Sequence, residues 1–155
     1  MMSRAQVVYL HLCVVITALT GTVFAVMKYG MTSDDPFAVV NHPLQPAMLA
    51  AHVVVAPLLV FGFGWVFTNH IWPGFASGMA RKRKSGLWSM GAIAPMVLSG
   101  YLLQIATAEA TRQAMAIAHW VSSALFVIAY VIHLLTKRAA RSVRQAAEAS
   151  APYQE

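Results

Sequence analysis

Cysteine is almost missing from this sequence: Cys13 is the single one among 155 residues. An intramolecular disulfide is therefore excluded, as are a Cys-rich iron–sulfur motif and a CxxCH motif. Cys13 itself reads as a small apolar packing residue. No glycine-rich dinucleotide fingerprint occurs either. Charge is the second scarcity. Charged residues make up 10% of the chain, and five are acidic, against roughly a quarter charged in ordinary soluble domains. Hydrocarbon fills the sequence instead: 59% of residues are hydrophobic and the mean hydropathy is +0.62. This balance predicts a membrane protein.

A helix needs about 20 apolar residues to cross the ~30 Å hydrocarbon core. Four stretches qualify, at 7–27, 47–68, 87–107 and 114–136. The expected fold class is all-α: an integral membrane four-helix bundle over residues 1–138, with a cytoplasmic tail at 139–155. The Ala, Glu and Arg content of that tail permits an amphipathic helix on the inner surface. The net charge of +6 comes from where the basic residues sit, and no nucleic-acid partner is needed to explain it. Arg4, the run Arg81-Lys82-Arg83-Lys84, and Lys137, Arg138, Arg141 and Arg144 all fall on one side of the expected spans. Lys28 and Arg112 fall on the other, beside Asp34, Asp35 and Glu109. The positive-inside rule then places both termini in the cytoplasm, with the basic segments against lipid headgroups.

Arg4 and the following apolar run to Val23-Phe24-Ala25 resemble a signal peptide. The run is long for one and holds His11 and Gly21, so a retained helix is expected. The loop KYGMTSDDPFAVVNHPLQP is the longest connection and is rich in breakers. A short interfacial helix at 36–41, or a docking surface for a partner, would suit it. Pro73 and Gly74 are expected to end the second span.

A faint internal repeat runs beneath this order. MLAAH at 48–52 matches MAIAH at 115–119, and LTG at 19–21 matches LSG at 98–100. Two hairpins of one pattern are implied. The glycines Gly21, Gly62, Gly64 and Gly100 lie inside spans, where a missing side chain lets something flat approach the backbone or eases helix–helix contact.

The histidines give the repeat its chemical interest. Ionisable groups within lipid are functional hypotheses by default. His119 and His133 are fourteen residues apart on the last span, about 21 Å of helix and nearly one face. By span direction, His52 lies at the depth of His119, and His11 at that of His133. Opposed imidazoles from different helices are the ligand set of a six-coordinate haem iron between helices. Each ligating ring would donate from its other nitrogen to a carbonyl or hydroxyl, and Thr17, Thr20, Ser122 and Ser123 are near. Phe61, Phe63, Trp65, Trp120, Phe126 and Tyr130 are candidate walls for such a pocket, or interface anchors. His70 competes with His11. It follows His52 by eighteen residues, five whole turns, but sits ~6 Å deeper than a fourteen-residue spacing requires. His42, beside Pro43, is expected to face solvent.

Single histidines in spans one and two, then two fourteen apart in span four, resemble the bacterial four-helix di-haem cytochrome b561 superfamily, in a distant branch. That group includes the cytochrome b subunits of formate dehydrogenases and nickel–iron hydrogenases, and the superoxide oxidases. The resemblance implies two haem b groups, one ligated by His52 and His119, the other by His11 and His133, with Gly21 and Gly100 in the cofactor-binding set. It further implies a multi-pass protein of the bacterial cytoplasmic (inner) membrane. Such a protein transfers electrons between a quinone pool and a redox partner subunit of cytochrome c or iron–sulfur type. A quinone or proton site near the inner haem would draw on His70, Asn69, Trp72 and Arg81. A stand-alone quinone-linked oxidoreductase of the superoxide oxidase type is the alternative within the family. A non-redox membrane scaffold is the alternative outside it.

Overall fold

The computed structural model describes residues 2–77 and 84–149. Every regular element among them is helical, and four helical segments are long and apolar enough to cross a membrane: Arg4–Gly30, Gln45–Gly74, Gly86–Ile105 and Glu109–Ala140. The chain divides into two compact units, Met1–Ser77 and Gly78–Glu155. Each is a helical hairpin.

Hairpin 1 begins with α1 (Arg4–Ala25). Ser3 and Gln6 start it as a capping box. The Ser3 hydroxyl accepts from the Gln6 amide at 3.2 Å, and the Gln6 side-chain oxygen accepts from the Ser3 amide at 2.9 Å, satisfying donors that a helix start leaves over. The helix runs into a π-helical turn, Val26–Gly30. A loop at 31–44 leads to α2 (Gln45–Val66), which carries Pro46 in its first turn and Pro57 inside. A second π-helical turn, Phe67–Ile71, and the short α3 (Trp72–Ala76) complete the unit.

Gln6, Leu10, Cys13 and Val14 of α1 are buried against Leu59, Gly62 and Val66 of α2. Both sets follow the i, i+3, i+4, i+7 spacing of one helix face. Gly62 lets the helices close, because a Cβ there would lie 2.7 Å from the Tyr9 ring. Two further bonds tie the pair: the Tyr9 hydroxyl donates to the Leu58 carbonyl at 3.1 Å, and the Gln6 amide to the Trp65 carbonyl at 3.3 Å.

Hairpin 2 consists of α4 (Lys84–Ile105), with Pro95 inside, and α5 (Glu109–Ala149), joined across residues 106–108. Its seam is built mostly from small side chains, Ser89, Ala92 and Ser99 on one helix and Ser122 and Ala129 on the other, with Met96 and Phe126 filling the space between them. Small residues let backbones approach when no hydrophobic drive separates protein from solvent, as in lipid. Away from the seams, large apolar side chains are bare. Val54 is 69% exposed, Phe61 and Leu98 63%, Ile128 58%. In water such a surface would aggregate; in hydrocarbon it is the solvated face.

Several expectations are modified. The helices of spans one and two run past 27 and 68 as π-helical turns; Pro73 and Gly74 lie within α3, and the second long apolar segment ends at Gly74, as expected. Residues 36–41 form bends and turns, not a helix. Asp35 organises them, its carboxylate accepting from the Phe37 amide at 2.9 Å. The tail assigned to 139–155 is helical as far as Ala149, as the last part of the continuous α5. Residues 150–155 and the basic residues Arg81, Lys82 and Arg83 lie outside the described residues.

Candidate functional site

In hairpin 1, α1 and α2 run antiparallel, which brings His52 near the start of α2 against Thr17, Thr20 and Gly21 near the end of α1. The His52 Nδ1 lies 3.0 Å from the Thr17 carbonyl and 3.3 Å from the Thr20 hydroxyl. That hydroxyl itself donates to the Ile16 carbonyl at 2.8 Å. A Cβ on Gly21 would stand 2.8 Å from the ring's Cε1 and 3.0 Å from Nδ1. Only glycine leaves the ring room at this distance.

Hairpin 2 repeats the arrangement with other residues. The His119 Nδ1 lies 2.9 Å from the Met96 carbonyl and 3.4 Å from the Ser99 hydroxyl. Ser99 donates to the Pro95 carbonyl at 2.6 Å. A Cβ on Gly100 would stand 3.0 Å from Cε1 and 3.2 Å from Nδ1. In both hairpins the carbonyl belongs to the residue four before the glycine, the same carbonyl that accepts the glycine's amide in an α-helix. Its second lone pair takes the imidazole.

A carbonyl oxygen only accepts, so Nδ1 carries a proton in both rings, and in the neutral imidazole the lone pair is then at Nε2. His42 shows the opposite choice: its Nδ1 accepts the Leu44 amide at 3.1 Å, in a residue of intermediate exposure. An imidazole held from behind by a backbone carbonyl and presenting Nε2 is the usual form of a histidine metal ligand. Among the described residues no group of three or more His, Cys, Asp or Glu is placed to hold a bare metal ion. Each seat offers a single nitrogen, which suits a metal whose other positions are filled by a macrocycle.

No family model matches the chain, and searches of curated proteins and of solved structures found no match.

The other sequence candidates are placed as follows. His133 is half-buried on α5 and lies against Gly86, where a Cβ would stand 3.3 Å from its Nδ1 and 3.4 Å from its Cε1. His11 is half-buried on α1, one residue past the buried Leu10. His70, half-buried, and Asn69, exposed, share the second π-helical turn, and Trp72 follows in α3 with its ring 6.3 Å from that of Phe67. The π-helical turn breaks the five-turn relation assumed between His52 and His70, because its pitch differs from that of an α-helix. Arg81 lies outside the described residues.

Gly21 and Gly100 do admit a flat group, and it is the imidazole of the facing helix. Of the hydroxyls expected to hold the rings, Thr20 does stand beside His52, whereas Ser122 bonds to the Ala118 and His119 carbonyls of its own helix. Thr17 contributes its carbonyl, not its hydroxyl. Sequence reasoning missed Ser99, Gly86 and the Met96 carbonyl. Ser99 and Gly86 had a readable signal, a hydroxyl residue before a glycine. Of the aromatic candidates, Phe126 is buried and stacks on Tyr130 at 5.9 Å, while Phe61 and Trp65 form an exposed cluster with Tyr9. A shallow apolar groove of about 380 Å³ on hairpin 2, running from Trp88 to Leu125, includes neither His119 nor His133.

Proposed function

We propose that the chain is a membrane b-type cytochrome, a distant member of the di-haem cytochrome b561 superfamily, and that it carries electrons between a quinone pool and a redox partner protein. In this reading His52 and His119 are the axial ligands of one haem, and His11 and His133 those of a second. The observation that supports it most is the recurrence of one seat in two hairpins of different sequence, each fixing an imidazole with its lone pair at Nε2. Unrelated core histidines would have no reason to share a tautomer, a carbonyl offset and a facing glycine.

When bound, haem supplies one-electron redox chemistry whose potential depends on its ligands, burial and hydrogen bonds. The chain's own residues do the rest. The Thr17 and Met96 carbonyls hold the Nδ1 protons, which orients the rings and raises the basicity of Nε2. Gly21 and Gly100 set how deeply each ring sits. The bare apolar faces of the four long helices keep the protein in lipid, for which the bacterial inner membrane, with both termini in the cytoplasm, is the proposed setting. A quinone would bind near the inner end of hairpin 1, at the π-helical turn holding Asn69 and His70 and at Trp72. Such turns are frequent at functional sites. The same chain could serve as a subunit or as a stand-alone oxidoreductase; co-purification with a second redox protein separates the two.

The test is a reduced-minus-oxidised absorption spectrum with haem quantitation on the purified chain. Two haem b per chain are expected. A colourless protein overturns the proposal and leaves the scaffold reading in its place.

A further inference from the structure

Among the described residues, the two most exposed large apolar side chains lie in the loop at 31–44 and not on the long helices: Val39 is 97% and Phe37 89% exposed. Hydrogen bonds hold this loop in shape. Asp35 starts a tight turn, its carbonyl accepting from the Ala38 amide at 3.1 Å and its carboxylate from the Phe37 amide at 2.9 Å. Pro36 suits the second position of such a turn, and Phe37 takes the third, at the tip. Farther on, the Asn41 side chain donates to the Lys28 carbonyl at 2.8 Å, and the Asn41 amide donates to the Gln45 side chain at 3.2 Å. These two bonds fasten the loop to the helical segments on either side. Its largest apolar groups are nevertheless left bare.

We propose that Phe37 and Val39 form a membrane anchor, dipping into the boundary between headgroups and acyl chains at this end of hairpin 1. The loop joins two segments long and apolar enough to cross a bilayer, so membrane insertion fixes both of its ends at the lipid surface. The bare apolar surface is continuous from those segments into the loop: Val26, Tyr29 and Met31 are exposed where the chain leaves the first, and Leu44 where it enters the second. Lys28 stands at the same end, its ammonium 5.3 Å from the centre of the Tyr29 ring and 5.8 Å from that of Phe24. Aromatic rings beside a long-stemmed cation are the usual residues where hydrocarbon meets water. The loop also divides by polarity. Ser33, Asp34 and Asp35 come before the tip, and residues 36–40 carry no charge. A protein covering the whole loop would have to desolvate both carboxylates, whereas a bilayer takes up the apolar arm and leaves them in water. Residues 36–41 thus serve as a turn in the place where an interfacial helix was expected.

The anchor rests on the membrane insertion contained in the proposed function, but not on haem. Its test uses the full-length chain in nanodiscs of phosphatidylethanolamine and phosphatidylglycerol. Ser33→Cys, Phe37→Cys, Val39→Cys and Leu98→Cys each carry a nitrobenzoxadiazole fluorophore, and labelling of the buried Cys13 is measured on the unsubstituted chain. The exposed Ser33 is the water reference, and Leu98, bare on α4, the hydrocarbon reference. Labels at 37 and 39 should be quenched by doxyl-labelled lipid and should resist aqueous iodide severalfold better than the label at 33. Adding Phe37→Asp to Val39→Cys should bring the label at 39 out to iodide. Labels at 37 and 39 as open to iodide as the one at 33 overturn the anchor and leave the patch to a protein partner. A label at 39 that Phe37→Asp does not move also overturns it, because the probe is then inserting by itself. A label at 98 open to iodide removes the bilayer from the helices, and the anchor and the membrane reading fail together. Haem quantitation on the same samples judges the cytochrome separately: a colourless chain with shielded labels at 37, 39 and 98 loses the haem and keeps the anchor.

Discussion

At single positions, the glycines carry as much of the account as the histidines do. An added methyl is harmless where it meets open space and costly where it meets a ring. Gly62→Ala should therefore destabilise the protein by about 1–3 kcal/mol through overpacking against Tyr9, while Gly64→Ala, two residues on, should be close to neutral. Thermal unfolding of the two variants in one detergent checks this. A similar loss from both would mean that α1 and α2 do not close at Gly62. The spacing of the histidines was readable in the sequence because imidazoles are rare in apolar helices and each stands out. Their partners were not, because the Thr17 and Met96 carbonyls have no letter of their own. Thr17 was noticed for its hydroxyl and serves through its backbone. Gly86 could not be matched to a ring from the sequence, since the His133 ring it faces comes from a residue 47 positions away.

Among the helices, length and hydropathy located all four long segments, because about 20 apolar residues in a row have few other uses. Their ends were less legible. The π-helical turns at Val26–Gly30 and Phe67–Ile71 arise from hydrogen-bond registers that the run of apolar letters does not encode. The loop at 31–44 also resisted reading, since Asp35 and Asn41 settle it through single hydrogen bonds, the latter to the Lys28 carbonyl at 2.8 Å. The start of α1 is clearer, and Ser3 and Gln6 make different demands. Ser3→Ala removes the cap alone and should cost about 0.5–2 kcal/mol. Gln6→Ala removes its half of the capping box and also the link to the Trp65 carbonyl, so its loss should be the larger. Equal or reversed losses in denaturant titrations would show that this link carries no stability.

Over the whole molecule, the repeat goes deeper than its matching pentapeptides. Gly21 and Gly100 are 79 residues apart, as are the buried Cys13 and Ala92; His52 and His119 are 67 apart, as are the buried Leu59 and Phe126. Each hairpin therefore builds its seam in one register. The histidines do not all follow it: by the same offsets Val66 stands in the place of His133, and Met90 in the place of His11. The proposed topology is checked by labelling: a cysteine at Ser33 should react with an impermeant maleimide from outside whole cells, and one at Ser142 only after the cytoplasmic face is opened. Both side chains are exposed, whereas the native Cys13 is buried. Labelling of both from one side would refute the arrangement. The central claim, that His52 and His119 serve one haem between them, is tested most directly by haem content in His52→Ala, His119→Ala and the double variant. One haem per chain remaining in all three is predicted. Two in either single variant, or none in the double, would contradict it.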